Sequence, residues 1–177
     1  NRTLVCRGRG SANGSPGRVP YGCYQTLGDL NLEFSHGTNV TNYRRELDVA
    51  TAISRVSYEV DGVKFEREMF ASAPDQVIVV RIAASRKGAL NFSAQLSRPE
   101  AAEVSAVGND ELLMRGQLFN GTAWEGMKYA TRLQAIAEGG KITSSTNGLT
   151  VAGADEVLLL LTAATDYRMQ LPDWRQG

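Results

Sequence analysis

The run Arg55-Val56-Ser57-Tyr58-Glu59-Val60-Asp61-Gly62-Val63-Lys64-Phe65-Glu66-Arg67-Glu68 decides the fold. Val56, Tyr58 and Val60 alternate with Arg55, Ser57 and Glu59, the period of two that marks a half-buried strand. Asp61-Gly62 is a pair suited to positive φ at both turn positions, the type I′ hairpin signal. The return strand puts Val63 and Phe65 on one face and Lys64, Glu66 and Glu68 on the other. An antiparallel pair with one apolar face needs a second layer to cover it.

The same habit extends both ways along the chain. Upstream, Leu30, Leu32 and Phe34 alternate with Asn31 and Glu33, and Glu46 to Ser54 reads as strand despite its good helix formers. Downstream, a turn at Ala73 to Asp75 leads into Val77 to Ala84, apolar nearly throughout, which predicts a central strand buried on both faces. Leu90, Phe92, Ala94 and Leu96 alternate without an error, and Glu111 to Phe119 is interrupted by Gly116, a bulge signal. Tyr129 to Ala137 runs into a Gly139-Gly140 turn, Ile142 and Val151 flank a second hairpin signal at Asn147-Gly148, and Val157 to Thr165 closes the series. The expectation is an all-β, antiparallel β-sandwich of about 8–10 strands with little or no helix, because so many hairpins must fold over to bury a face.

Composition agrees. A chain of 177 residues is one domain at ~100–200 residues each, long enough to bury about two-thirds of its unfolded surface. Nineteen Lys+Arg balance nineteen Asp+Glu, which argues against a nucleic-acid or anionic-membrane partner. No apolar run approaches the ~20 residues of a membrane-spanning helix. Residues 1–23 form mostly a Gly/Ser/Pro-rich loop after a short strand at Thr3 to Cys6, and residues 168–177 read as the start of a linker. Cys6 and Cys23 either close a loop of about 17 residues or stand as two free thiols; their spacing leaves both open.

The search for chemistry is mostly negative. The single histidine, His36, reads as a surface turn residue, since a metal site needs about three or four converging ligands. Neither a metal nor a cofactor is expected. Gly8-Arg9-Gly10-Ser11-Ala12-Asn13-Gly14 departs from a dinucleotide loop by one displaced glycine, with Pro16-Gly17 where a helix would start. Asp29, Glu33, Asp48 and Asp75 are candidates for a glycoside-cleaving pair, which needs groups ~5–5.5 Å or ~6.5–9.5 Å apart. On a sandwich, most acids simply solvate an outer face. Trp124, in the Gly-rich segment 120–126, suits a platform for stacking on a sugar ring, with Tyr21, Tyr24 and Trp174 as weaker choices. Sequons stand at Asn1, Asn39, Asn91 and Asn120 and matter only in a glycosylating secretory pathway.

An ordered string of motifs points further. Tyr24-Gln25-Thr26-Leu27-Gly28-Asp29-Leu30, Tyr43-Arg44-Arg45-Glu46-Leu47-Asp48 and Tyr58-Glu59-Val60-Asp61-Gly62-Val63 are followed by Arg67-Glu68-Met69-Phe70-Ala71-Ser72. Pro74-Asp75-Gln76-Val77-Ile78 and Val79-Val80-Arg81-Ile82 complete the string. Together they resemble the N-terminal domain of glycoside hydrolase family 95, the α-L-fucosidases, strongly from Tyr21 to Pro99 and more loosely from Gly153 to Thr165. The resemblance implies a sandwich of the super-sandwich type preceding an (α/α)6 barrel that removes terminal α-linked L-fucose with inversion.

The catalytic residues of that family lie in the barrel, so none is carried onto this chain, which alone is expected to be inactive. The chain also begins after an early strand segment of the family, so an unpaired edge is expected, and with it association into a homo-oligomer or a trimmed fragment. Tyr24 and Gln25 start a strand after the long loop, where they could reach a neighbouring barrel; with Trp124 they are the expected carbohydrate contacts. The implied partners are fucosylated glycans and the barrel, and the implied location is secreted or periplasmic. The competing readings are a freestanding carbohydrate-binding sandwich and a structural or adhesion module. With 7% aromatic residues, and Phe34, Phe65 and Phe92 assigned to the core, little is left for an exposed platform.

Overall fold

Alternating sequence becomes strand throughout. The computed structural model describes residues 8–10, 19–21, 26–119 and 125–167. In chain order these hold β1 (Gly8–Gly10), β2 (Val19–Tyr21), β3 (Asp29–Phe34), β4 (Thr41–Asp48), β5 (Ile53–Val60), β6 (Val63–Ser72) and β7 (Val77–Ala84). They continue as β8 (Leu90–Ser97), β9 (Glu103–Val107), β10 (Glu111–Phe119), β11 (Glu125–Glu138), β12 (Lys141–Ser145), β13 (Gly148–Ala154) and β14 (Glu156–Thr165). Fourteen strands stand among the described residues, more than the 8–10 expected: β1, β2 and β9 add to the expected series, and the expected strand Glu46 to Ser54 is divided by a turn at 49–52 into the end of β4 and the start of β5. The expected strand at Thr3 to Cys6, the two cysteines and residues 168–177 lie outside the described residues.

Every pairing is antiparallel. An eight-stranded sheet runs β4-β5-β6-β7-β14-β11-β10-β9, a four-stranded sheet runs β12-β13-β8-β3, and β1 pairs with β2. The two larger sheets enclose one core: Val60, Val63, Phe65, Val80, Ile82, Leu112, Met114, Leu133, Ala135, Val157 and Leu159 face Leu90, Phe92, Ala94, Leu96, Leu149 and Val151. The sandwich is closed where Gly28 meets Met114 on β10, beside Leu27 packed on the core, and again where Phe34 meets His36 beside Phe65 on β6. Because β10 and β6 are separated by β11, β14 and β7, β3 crosses the strands of the larger sheet instead of following one.

The turns follow their chemistry, with one shift. Asp61 and Gly62 both hold positive φ, 49° and 72°, as the hairpin signal requires. Gly139 and Gly140 do the same, at 69° and 66°, where the chain leaves one sheet for the other. In the β12–β13 hairpin Ser145 pairs with Gly148, so Thr146-Asn147 are the loop and Gly148 takes the positive φ after it.

Strand β7 is central, as expected, yet it is not buried on both faces. Val80 and Ile82 are buried under the small sheet, Val77 and Val79 are half-buried on the opposite face, and Ile78 is exposed beyond the edge of the cover. His36 is also more enclosed than a surface turn residue. Its ring lies against Phe34, Phe65 and Tyr58, its Nδ1 donates to the Gly37 carbonyl at 3.0 Å, and its Nε2 meets the Tyr58 hydroxyl at 2.8 Å.

Candidate functional site

The three sugar-contact candidates, Tyr24, Gln25 and Trp124, lie outside the described residues. The four candidate acids are not brought together. Asp29 and Glu33 point outward from β3; Asp75 accepts from the Ser72 hydroxyl at 2.5 Å inside its own turn. Asp48 Oδ1 caps the turn after β4, accepting from the backbone N–H of Ala50 at 2.9 Å and of Thr51 at 3.3 Å. The Thr51 hydroxyl, followed by those two N–H groups, holds the Asp48 carboxyl below its ordinary value. Such a group stays ionised, which suits capping and not proton donation.

A groove of about 710 Å³ opens at one end of the large sheet, where β10 and β14 finish and β11 begins. Its floor is small-sided where Ala130 and Ala164 pair across β11 and β14, and Ala101, Gly116 and Tyr129 also line it. Its rim carries Glu103, Arg115, Lys128 and Asp166. Gly116 lets Ala101 lie close on the sheet: a Cβ there would sit 1.7 Å from the Ala101 carbonyl oxygen and 2.7 Å from the Tyr129 hydroxyl. The bulge comes just after it, between Gln117 and Phe119, so the glycine serves close approach and the irregularity follows.

The polar groups of the groove are anchored by the fold. The Tyr129 hydroxyl donates to the Ala101 carbonyl at 2.6 Å, Gln117 Nε2 donates to the Gly126 carbonyl at 3.2 Å, and Asp166 Oδ1 accepts from the Lys128 N–H at 2.9 Å. Arg115 stands 3.4 Å from Glu103. Burial pushes the Tyr129 phenol up, with the Arg98 guanidinium, 5.0 Å above the ring, pulling the other way. Small-sided floor and charged rim together suit a ligand with a C–H face and hydroxyl edges. The groove was legible only as the glycine that interrupts β10; its other walls come from β9, β11 and β14, far apart in sequence.

Comparison with known proteins places this fold. The sequence profile of the glycosyl hydrolase family 65 N-terminal domain matches residues 7–170. Alpha-L-fucosidase 2 of Arabidopsis thaliana is 38% identical over 172 residues, covering 84% of this chain and 20% of that protein. Probable alpha-fucosidase A of Aspergillus niger is 30% identical over 168 residues, covering 90% of this chain and 21% of that protein. Its counterpart in Aspergillus oryzae is 26% identical over 159 residues, covering 83% and 21%. The chain thus spans about a fifth of the length of these curated relatives.

Proposed function

Since the chain belongs to the glycosyl hydrolase family 65 N-terminal domain family, we propose that it is the non-catalytic N-terminal sandwich of an α-L-fucosidase resembling family 95. The observation that carries this reading is the likeness, over most of this chain, to proteins named as fucosidases that are about five times longer. Inverting hydrolysis of terminal α-L-fucosides would then belong to an (α/α)6 barrel elsewhere in the polypeptide. The separation of Asp29 and Glu33 from Asp48 and Asp75 fits that division, since a hydrolytic pair must flank one bond. A fucosylated glycan outside the cytoplasm would be the substrate, and a secreted or periplasmic enzyme would meet it.

A freestanding carbohydrate-binding module is the alternative, favoured by the groove lined by Ala101, Ala130, Ala164 and Tyr129. The deciding experiment is hydrolysis of an aryl α-L-fucoside by the 177-residue chain beside the protein of its full reading frame. Activity in the longer protein alone is expected. Activity in the short chain would overturn the accessory role, and activity in neither would overturn the substrate.

A further inference from the structure

The two faces of the eight-stranded sheet treat charge differently. On the outer face, Glu46, Arg55, Glu68 and Arg81 are lateral neighbours on four adjacent strands. Arg55 is 2.8 Å from Glu68, Arg81 is 3.6 Å from Glu68 and 2.5 Å from Glu156, and Arg44 is 2.5 Å from Glu46. That face neutralises itself.

The inner face does not. The small sheet covers it over β14, β11 and β10 and over the Val60, Val63 and Phe65 end of β5 and β6, but not over β4 or the Met69 end of β6. Two lateral rows run out from under the cover: Ile82-Arg67-Val56-Arg45 and Val80-Met69-Ser54-Leu47. Ile82 and Val80 are 1% and 4% exposed, whereas Met69 is 46%, Leu47 65%, and Tyr43 and Ile78 nearby 61% and 41%. No carboxylate among the described residues lies within 4.0 Å of Arg45 or Arg67, while the arginines on the other face of β4, β5 and β7 all have one. Exposed Tyr43, Leu47, Met69 and Ile78 with two guanidinium groups lacking counter-charges among them have the character of an interaction surface.

We propose that this inner face of β4–β6 is covered by another segment of the same polypeptide, one that brings apolar side chains to Leu47, Met69 and Ile78 and carboxylates to Arg45 and Arg67. A second copy is the poorer occupant. A two-fold interface sets one patch against itself, and this face of β4–β6 carries no carboxylate to meet Arg45 or Arg67. The relatives, in contrast, have about four-fifths of their length outside the matched region. The inference rests on the reading of the chain as part of a longer enzyme, but not on which sugar that enzyme cleaves.

Met69 and Phe70 are successive residues on opposite faces, which makes the test internal. The full-length protein is exposed to hydroxyl radicals, and oxidation of Tyr43, Met69 and Phe70 is read by peptide mass spectrometry at several protein concentrations. Tyr43 and Met69 are expected to be protected severalfold while Phe70 still reacts, at every concentration. Free oxidation of Met69, or protection that fades on dilution, would overturn the proposal. In full-length Arg45→Glu/Arg67→Glu, with folding checked by circular dichroism and Arg45→Gln/Arg67→Gln as the milder variant, the protection of Met69 is expected to fall; unchanged protection in both would remove the carboxylates from the proposal. Fucoside hydrolysis measured on the same samples reports separately on the proposed function.

Discussion

Gly116 stands directly opposite Tyr129 in the β10–β11 ladder, and the phenol passes over it to donate to the Ala101 carbonyl at 2.6 Å. The contact ties the connection between β8 and β9 down onto the large sheet beside the groove. It joins two strands and that connection through the glycine of β10, where a side chain has no room.

Gly116→Ala is therefore expected to destabilise the protein by about 1–3 kcal/mol, the usual cost of overpacking, with a fall of ~2–4 °C in Tm per kcal/mol. Tyr129→Phe keeps the ring under Arg98 but loses the hydrogen bond, at about 0.5–1.5 kcal/mol. Thermal unfolding followed by circular dichroism measures both. An unchanged midpoint in Gly116→Ala would mean that Ala101 does not lie over β10.

The tyrosines also set a pH dependence. Burial pushes the phenols of Tyr58 and Tyr129 above their ordinary value of 10.0, opposed by Arg67 and Arg98 respectively. The folded state thus holds these protons more tightly than the unfolded chain. Their contribution is fully present below pH 10.0 and is lost as the pH rises through the raised folded values. Denaturant titrations across the alkaline range are expected to show stability falling above that point, with a shallower fall in Tyr58→Phe.

Arg81 sits between two carboxylates on a partly solvated face. Arg81→Met keeps the packing stem and leaves Glu68 and Glu156 without that cation. The expected loss is small, about 0.2–1 kcal/mol, because side chains this exposed are well screened. It should shrink further as salt shortens the Debye length from ~8 Å at 0.15 M toward ~3 Å at 1 M. Urea melts at two salt concentrations would show it; a loss independent of salt would assign the effect to packing.

The Asp61-Gly62 turn gives a test of backbone alone. Asp61 has a φ of 49°, and Asp61→Val puts a β-branched residue where L side chains are strained, at about 1–2 kcal/mol. A Cβ at Gly62 would meet no heavy atom within 4 Å, so Gly62→Ala is expected to cost only the strain of its φ of 72°, about 1–2 kcal/mol. A much larger loss in Gly62→Ala, read by the same melts, would show that this corner is packed and not open.

How much of this could be read in the residues depended on the range of the interaction involved. Alternation and turn chemistry act over a few residues, so β5, β6 and their Asp-Gly turn, β8, β11 and β14 were all legible. Even the odd member was visible: Arg67 occupies the apolar register after Val63 and Phe65, though nothing local says whether anything covers it. The shift of the β12–β13 loop to Thr146-Asn147 was not legible, because the register of Ser145 on Gly148 is settled by how β13 pairs with β8.

Strand chemistry therefore belongs to the residues themselves, and layer geometry does not. That β3 pairs with β8 more than fifty residues away, and then crosses the large sheet from Met114 to Phe65, follows from which apolar faces bury each other most completely. The same crossing determines where the cover ends. Val80 is buried and Ile78 exposed although both belong to one apolar run on one strand, since burial is a property of what lies across the interface and no pattern within the strand encodes it.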